Sequence, residues 1–283
     1  MRFVTIQQPA YDEPAVMVGG GLLGLREAGF ADLLSVIAGG RDALDRVRRL
    51  VHAPQGAVLD FEKTKLRAPL PRPPKIVCIG LNYRDHAAEA KLALPDVPTV
   101  FSKYATSVTG HRCPIVLPRN SAKPDYEAEF AVVIGKGGRH IPEERWREHV
   151  FGYTIVNDVS ARDYQTATSQ WMMGKTFDTF APMGPAIVTA DEIEDPHNLR
   201  IMLRLNGEVM QDSNTSNLIF GIGKLIAFLS SVFTLEPGDV ISTGTPAGVG
   251  FARKPPVWLK PGDEVAVEVE GLGTLVNPVV AEG

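Results

Sequence analysis

A short apolar segment that carries two glutamates, Asp125–Ile134, constrains the fold of this chain more than any other part of it. Its second half is rich in aromatic and β-branched residues and Gly135 follows it, which predicts a strand. Because side chains alternate along a strand, Glu127 and Glu129 would share one face, with their Cα atoms roughly 6.6–7 Å apart, and Phe130 would take the other. The fold must therefore accommodate two like charges beside a core.

Two carboxylates this close repel each other and resist burial. A hard cation such as Mg²⁺, Mn²⁺ or Ca²⁺ would offset both costs, because such ions prefer oxygen ligands; the alternative is an edge strand with a solvated acidic face. A third carboxylate favours the metal site, since the apolar segment Tyr153–Val156 ends in Asn157 and Asp158, which would present Asp158 to a cleft. Arg162 and Gln165, a turn later, would orient a substrate or only hold the loop.

Charge and composition limit the classes of function. The 283 residues carry a net charge of −4 with a pI of about 5.9, so neither nucleic acid nor a membrane surface is expected as a partner. Residues 1–9 lack the apolar core of a signal peptide, and no apolar stretch reaches membrane-spanning length. Cys78 and Cys113 show no metal-ligand spacing, and no glycine fingerprint of a dinucleotide or phosphate site is present. We therefore expect a cytoplasmic protein.

The distribution of turns predicts two domains, a small N-terminal α/β module at 1–68 and a catalytic domain at 69–283 that opens with the proline-rich bridge 69–74. In the module we expect a strand at 3–6 and helices at 30–38 and 42–52. In the larger domain we expect strands at 76–79, 99–102, 130–134, 152–156, 187–189, 200–205, 239–242 and 264–269, and helices near 85, at 142–149 and at 217–231. Short strands between Gly and Pro turns indicate an α+β, mainly β fold of the sandwich or barrel-like kind.

Five short motifs follow one another from about residue 71 onward: Gly80–His86, Asp125–Glu129, Asn157–Gln165, Gly174–Thr179 and Gly244–Gly250. Together they resemble the fumarylacetoacetate hydrolase superfamily, in which they occur in the same order. The resemblance implies a mixed β-sandwich roll, usually dimeric, that binds Mg²⁺ or Mn²⁺ through Glu127, Glu129 and Asp158. The larger hydrolases carry a further acidic ligand that has no evident counterpart here. The chain is therefore more similar to the smaller branch of acylpyruvate and 2,4-diketo-acid hydrolases and decarboxylases, in which water would fill the remaining metal positions.

Three further positions match the catalytic residues of that family. His86 and Glu89 are spaced to share one face of a helix that Asp85 would cap, and a carboxylate beside an imidazole both orients it and raises its basicity. The alternative is a solvated helix end with an incidental pair, but the resemblance implies a catalytic dyad. Lys175 would hold an anionic oxygen of the substrate or of a developing enolate; a plain surface charge is its alternative.

Gly244 and Thr245 follow the strand predicted at 239–242, in a glycine-rich turn. The glycines would permit the turn in any protein. The resemblance implies more, namely that the Thr245 hydroxyl and the backbone N–H groups bind the substrate carboxylate, with Arg162 and Gln165 as further substrate contacts.

These residues predict a divalent-metal-dependent hydrolase, acting as a homodimer, that cleaves a carbon–carbon bond of a small 2,4-diketo acid to give pyruvate and a second acid. The metal and Lys175 would stabilise the pyruvate enolate, while water activated by His86, with Glu89 behind it, attacks the distal carbonyl. The resemblance makes a 2,4-diketo-3-deoxy sugar acid one plausible substrate. The alternative uses the same enolate for decarboxylation, isomerisation or hydration of 2-keto acids. A non-catalytic scaffold that binds small acids is the third reading, although no motif residue is lost.

Overall fold

The computed structural model describes residues 1–54 and 56–283. Ahead of the proline-rich bridge these residues form short strands and two consecutive helices. They are β1 (Arg2–Gln7), β2 (Asp12–Val18), β3 (Gly21–Gly24), α1 (Leu33–Ala38), α2 (Gly40–His52), β4 (Val58–Asp60) and β5 (Leu66–Arg67). The side chain of Asp32 accepts a hydrogen bond from the N–H of Ser35 (2.7 Å) and so starts α1 three residues after the predicted position. Gly39 ends α1 as expected, and α2 begins directly at Gly40.

The remaining residues are rich in strands. The elements are β6 (Ile76–Gly80), α3 (Arg84–Ala90), β7 (Thr99–Ser102), β8 (Val108–Thr109), β9 (Ile115–Leu117), β10 (Pro124–Asp125), β11 (Ala128–Ile134), β12 (Val150–Asn157), β13 (Ser160–Ala161), α4 (Arg162–Gln165), α5 (Met172–Lys175), β14 (Ala181–Thr189), β15 (Arg200–Leu205), β16 (Glu208–Asn214), α6 (Ile222–Val232), β17 (Val240–Ser242), β18 (Glu264–Val269) and β19 (Gly273–Ala281). Every strand predicted in this domain is present. No helix in the described part of the chain combines the length and the apolar character that crossing a membrane requires.

Two of the predicted helices differ from expectation. The segment at 142–149 forms a 3-10 helix over Glu143–Glu148, a geometry that suits short segments. Helix α6 begins at Ile222 rather than near 217, because the side chain of Asn214 caps a separate 3-10 turn ahead of it. Leu218, which we expected on the apolar stripe of the helix, is buried in the core before the helix starts. The prediction of one continuous helix from 217 to 231 was therefore wrong.

The described strands build one large mixed sheet and a smaller one packed across it. The 12-stranded sheet follows the path β4-β3-β2-β1-β14-β12-β11-β17-β6-β7, with β5 beside β1 and β8 beside β14. The five-stranded sheet, β16-β15-β18-β19-β9, packs over β11, β12 and β14, and β10 pairs with β13. The N-terminal strands continue the large sheet, because β1 pairs antiparallel with β14. The division into domains at residues 68 and 69 stays a prediction.

Strand β11 lies at the centre of the large sheet, between β12 and β17. Phe130 packs into the core shared with the five-stranded sheet, whereas Ala131 and Val133 pack into the core cluster that includes α1 and α2. Glu127 and Glu129 fall on the side of Ala131 and Val133, as the period of two requires. They are only 5% and 1% exposed, so the alternative of an edge strand with a solvated acidic face is wrong.

Candidate active site

Three carboxylates from two neighbouring strands converge at one point. Glu127 directly precedes β11, Glu129 is its second residue, and Asp158 directly follows β12. Because Ala128 pairs with Asn157 in the antiparallel register, Asp158 comes to lie beside the glutamates, and its N–H donates to the carbonyl of Glu127 (2.9 Å). One carboxylate oxygen of each acid lies within 4.8 Å of the others, and all three side chains are buried. The structure thus brings the three predicted ligands together.

Buried cations surround these acids. The Nζ of Lys175 lies 2.7 Å from Glu127 Oε2 and 2.7 Å from Asp158 Oδ2. The Nη2 of Arg162 lies 2.7 Å from Glu127 Oε1. Lys103, directly after β7, contacts the other carboxylate oxygen of Asp158. Sequence reasoning selected Lys175 and Arg162 but missed Lys103, because a single lysine after an ordinary strand has no pattern that marks it.

A fourth buried acid, Asp125, holds Arg162 in place. Its Oδ2 accepts from Arg162 Nε (2.8 Å), and its Oδ1 accepts from the N–H of Gly250 (2.8 Å) in the loop after β17. The Nη1 of Arg162 donates to Gln165 Oε1 (2.8 Å). Arg162 is therefore fixed on three sides, by Glu127, Asp125 and Gln165. Asp125 belongs to one of the five motifs, but the sequence predicts no role for it.

The charges around Glu127 favour its ionised form. Burial alone raises the pKa of this carboxyl, but Lys175 and Arg162 lower it by more, so that the pKa lies below its usual range. The same attraction acts on Lys175. Burial lowers the pKa of its ammonium, while Asp158 and Glu127 raise it by more, which keeps Lys175 charged.

Glu129 is in the opposite situation. Burial, followed by the charges of Asp158 and Glu127, raises the pKa of Glu129 well above its usual value. Its Oε2 accepts hydrogen bonds from the hydroxyl of Ser242 and from the N–H of Gly244 (3.1 Å). Among the described residues its hydrogen-bond partners are thus neutral donors rather than cations. An additional positive charge at this point would stabilise the ionised form of Glu129.

The donor set fits a divalent cation. Within residues 1–54 and 56–283, the buried charges of the site are the carboxylates Asp125, Glu127, Glu129 and Asp158 and the cations Lys103, Arg162 and Lys175. When all four carboxylates are ionised, one negative charge is left over, which is costly in a buried medium and agrees with the raised pKa of Glu129. Carboxylate oxygens are the ligands that Mg²⁺, Mn²⁺ and Ca²⁺ prefer. Glu127, Glu129 and Asp158 are therefore the residues that would hold the ion.

A cavity of about 670 Å³ adjoins this cluster, and Glu127, Glu129 and Lys175 form part of its lining. The lining also includes His86 and Glu89. Its apolar part is formed by Ile79, Leu81, Leu92, Phe101, Trp171, Val249 and Phe251. The predicted dyad and the acid cluster therefore face one common space.

His86 and Glu89 form a hydrogen-bonded pair on α3. The Nδ1 of His86 lies 3.3 Å from Glu89 Oε2, and the N–H of Gly248 donates to both oxygens of Glu89 (3.1 and 3.2 Å). An ionised carboxylate only accepts, so Nδ1 carries the proton and Nε2 is left as the acceptor of the imidazole. The side chains are 19% and 26% exposed, so the pair is partly shielded from solvent. Their catalytic role stays a prediction.

The remaining predicted residues are Gly244, Thr245, Gln165 and Arg162. Gly244 has a φ of 105°, and a Cβ there would lie 2.9 Å from the Cβ of Asn82, so the turn requires glycine. The N–H of Gly244 is engaged by Glu129. Thr245 and Gln165 line the cavity, as does Arg162. Their contacts with a substrate stay predictions.

The chain is similar to known proteins in both sequence and fold. The family model described as fumarylacetoacetate (FAA) hydrolase C-terminal matches residues 75–280. Oxaloacetate tautomerase Fahd2a, mitochondrial, of Rattus norvegicus is 46% identical over 288 residues, which cover 99% of this chain and 92% of the rat protein.

Two solved structures extend this comparison over the whole chain. A putative HpcE protein from Mycobacterium smegmatis has a TM-score of 0.89 at 35% identity, and the match covers 100% of both chains. Maleylpyruvate hydrolase from Sphingobium sp. SYK-6, in complex with manganese(II) ion and pyruvate, has a TM-score of 0.86 at 28% identity, again over 100% of both chains. The chain belongs to the fumarylacetoacetate hydrolase superfamily.

Proposed function

We propose that this protein is a metal-dependent tautomerase that interconverts the keto and enol forms of a small 2-oxo acid of the oxaloacetate type. The observation that carries the proposal is the common cavity, in which His86 faces the same space as Glu127, Glu129 and Lys175. Acid–base and charge-stabilising groups that share one cavity are the parts that enolisation requires. The rat tautomerase, similar over nearly the whole chain, supports this reaction above the others.

Enolisation moves one proton from C3 of the acid to the oxygen on C2, and no atom is lost. A divalent cation held by Glu127, Glu129 and Asp158 would polarise the 2-oxo group and so make the C3 proton more acidic. The free Nε2 of His86 would accept that proton, while Glu89 orients the ring and stabilises the imidazolium. The ammonium of Lys175 would donate a hydrogen bond to the oxygen on C2, where negative charge develops. The oxygen on C2 then takes a proton from water, and the imidazolium of His86 releases its proton to water, which completes the enol. The reverse direction runs the same transfers backward, with the imidazolium of His86 returning the proton to C3.

Hydrolysis of an acylpyruvate, which we predicted from the sequence, is the second candidate. The volume of the cavity, about 670 Å³, and its apolar walls at Leu92, Trp171 and Phe251 favour it, since they leave room for a distal acyl group. In that reaction His86 would take a proton from water, and the hydroxide would add to the C4 carbonyl. Cleavage of the C3–C4 bond then releases the enolate of pyruvate and a second acid.

One experiment separates the two candidates. Freshly dissolved enol-oxaloacetate is followed by its ultraviolet absorbance with Mg²⁺ or Mn²⁺, and pyruvate release is measured in parallel from a set of acylpyruvates. We expect metal-dependent loss of the enol without pyruvate, abolished by EDTA and by His86→Gln but not by His52→Gln, an exposed control on α2. Pyruvate release without tautomerisation would replace the first candidate by the second. Failure of both assays would reject both.

Three accompanying features stay predictions. The cytoplasmic location has to be tested by fractionation, because the rat relative is named as a mitochondrial protein. The homodimer can be tested by light scattering during size-exclusion chromatography. The choice among Mg²⁺, Mn²⁺ and Ca²⁺ follows from the thermal stabilisation that each ion gives; the manganese complex of the maleylpyruvate hydrolase makes Mn²⁺ the first ion to try.

A further inference from the structure

Gln211, on β16, connects the strand of the acid cluster to the turn that carries Thr245. The side chain is 1% exposed. Its Oε1 accepts a hydrogen bond from the N–H of Ala128 (2.9 Å), the residue between the two glutamates. Its Nε2 donates to the carbonyl of Pro246 (2.8 Å) and to the Oγ1 of Thr245 (2.8 Å). Both N–H groups of the amide and one lone pair of its oxygen are thus hydrogen-bonded.

The orientation of the amide follows from the nature of its partners. The backbone N–H of Ala128 can only donate, and the carbonyl of Pro246 can only accept. If the amide were flipped, its NH₂ group would face the N–H of Ala128, and its oxygen would face the carbonyl oxygen of Pro246. Neither pair could form a hydrogen bond, and unpaired polar groups are costly inside a protein. Nε2 must therefore face Pro246, and its second N–H is the group that meets Thr245.

This orientation decides what Thr245 can do. Its hydroxyl oxygen accepts from Gln211, so the hydroxyl proton is left for another partner. Within the described residues no hydrogen bond donated by this hydroxyl is found, although the side chain is only 6% exposed and lines the cavity. A hydroxyl that is already accepting becomes a better donor, since hydrogen bonds in a chain polarise one another. A carboxylate in the cavity is the acceptor that gains most from it.

We propose that Gln211 is a positioning residue that sets the Thr245 hydroxyl as a donor to the carboxylate of the bound 2-oxo acid. This rests on the proposed function, because it requires such an acid in the cavity. Gln211 is not among the described residues that line the cavity, so it acts through Thr245 rather than on the substrate.

A merely structural role for Gln211 would have a different consequence. Its bond to Ala128 lies between Glu127 and Glu129, so a loss of local structure would weaken metal binding at the same time. The role through Thr245 predicts instead that affinity for the acid falls while affinity for the metal stays. Two affinities measured on the same variant therefore distinguish the two roles.

The test uses variants that keep the shape of each side chain. Gln211→Met removes the amide, Thr245→Val removes the hydroxyl, and the double variant removes both. Calorimetry gives the affinity for Mn²⁺ and then the affinity of the Mn²⁺-loaded protein for pyruvate. An exposed glutamine on β1 provides the matched control, Gln7→Met, which should leave both affinities unchanged.

We expect Gln211→Met to weaken pyruvate binding by roughly 3–10-fold, because a charge-assisted hydrogen bond is lost only in part when its donor is no longer oriented. Thr245→Val should weaken it at least as much, and the double variant no more than Thr245→Val alone, since both changes remove one interaction. Mn²⁺ affinity of Gln211→Met should stay within about threefold of wild type. Where methionine perturbs the fold, Gln211→Leu also removes the amide donor and should show the same loss.

Three outcomes would overturn the role of Gln211 and leave the proposed function standing. They are unchanged pyruvate affinity in both Gln211 variants, multiplicative losses in the double variant, or equal losses of Mn²⁺ and pyruvate affinity in the Gln211 variants. Wild-type protein that binds Mn²⁺ but no pyruvate would overturn the proposed function together with this inference. The two failures are therefore distinguishable in one series of titrations.

Discussion

Glu127 and Glu129 should respond in opposite directions when each is replaced by glutamine in the metal-free protein. Both side chains are buried, but their surroundings differ. Glu127 lies 2.7 Å from both Lys175 and Arg162. Glu129 has neutral hydrogen-bond donors and the repulsion of its acidic neighbours. We therefore expect Glu129→Gln to stabilise the metal-free protein and Glu127→Gln to destabilise it.

The gain from Glu129→Gln can be estimated from the geometry. Both hydrogen bonds to Glu129, from Ser242 and Gly244, end on the same oxygen, so a glutamine can keep them with its Oε1. One carboxylate oxygen of each of the three acids lies within 4.8 Å of the others. Two unit charges ~4.8 Å apart repel by about 3.5 kcal/mol at an effective dielectric constant of ~20. The lysines beside Asp158 cancel part of this. A gain of about 1–3 kcal/mol remains, or roughly 2–4 °C in Tm per kcal/mol.

The loss from Glu127→Gln follows from its partners. Removing one member of a buried ion pair costs about 3–5 kcal/mol, because the remaining charges stay buried without compensation. The pKa of Glu127 is lowered, so its contribution is present above the usual value of 4.5 and is lost as the pH falls. The pKa of Glu129 is raised from 4.5, so its ionised form opposes folding as the pH rises above that value. The difference in the free energy of unfolding between Glu129→Gln and Glu127→Gln is therefore largest at neutral or higher pH.

The assay is equilibrium unfolding at pH 7.5 in EDTA, repeated with saturating Mn²⁺. Wild-type protein should gain about 2.7 kcal/mol at a free Mn²⁺ concentration of ~100 times its Kd, and neither variant should gain comparably. Glu208→Gln, an exposed change on β16, controls for the loss of one acidic charge. If Glu129→Gln loses as much stability in EDTA as Glu127→Gln, or if it keeps the full response to Mn²⁺, the assignment of charges in this site is wrong.

Further predictions concern three other residues. His86→Gln should slow turnover by ~10²–10⁴-fold while the Mn²⁺-induced rise in Tm persists; a comparable loss of the Tm rise would instead make His86 part of the metal site. Lys103→Met should lower the free energy of unfolding in EDTA by about 3–5 kcal/mol, since it leaves an oxygen of Asp158 buried without its cation; an unchanged urea midpoint would contradict this. Burial, with Arg112 nearby, lowers the pKa of His111 to about 4, so its stabilising contribution is present above the usual value of 6.5 and is lost as the pH falls. Urea titrations from pH 6.5 to 4 should show a decrease on the order of 1–2 kcal/mol, allowing for solvent screening, that is missing in His111→Asn; equal pH profiles would refute it.

The three acids of the cluster could be predicted because each is marked by the sequence immediately around it. The alternation that places Glu127 and Glu129 on one side is a property of any strand, and the end of an apolar strand marks Asp158. What the sequence could not give is the register that joins them. The pairing of Ala128 with Asn157 brings the third acid to the first two, and only the family resemblance pointed to it in advance.

Three other residues around these acids, Lys103, Gln211 and Ser242, were missed for the same physical reason. Lys103 and Asp158 are 55 residues apart, Gln211 and Ala128 are 83 apart, and the hydroxyl that binds Glu129 comes from 113 residues away. Each of these residues stands alone in its own segment, so no periodicity or spacing identifies it. The group that pairs with a buried charge can come from any segment that the fold brings close to it, so its position cannot be read from the local sequence.

Local signals can also mislead. The apolar spacing from 217 to 231 fits one helix, yet the cap at Asn214 closes a separate 3-10 turn and α6 begins only at Ile222. The segment between the 3-10 turn and α6 is hydrogen-bonded to Asn82, in the motif before α3. The N–H of Ile219 donates to the carbonyl of Asn82 (2.8 Å), and the N–H of Phe220 donates to the side-chain oxygen of Asn82 (2.8 Å). A continuous helix would bond these N–H groups internally and leave Asn82 without them.

The geometry is compatible with both candidate reactions at one site. Glu89 is bonded to Gly248, in the same turn that carries Thr245, so the imidazole of His86 and the proposed carboxylate contact are held by one loop. An acid bound at Thr245 would therefore present its reacting carbons to His86 in the same way, whatever its distal group is. As the proposed base, His86 would then act on C3 of a short acid, or on water where the distal carbonyl of a longer acid takes its place. The choice between tautomerisation and hydrolysis would depend on the substrate and on the far wall of the cavity, and variants of Trp171 should shift it while Mn²⁺ affinity stays unchanged.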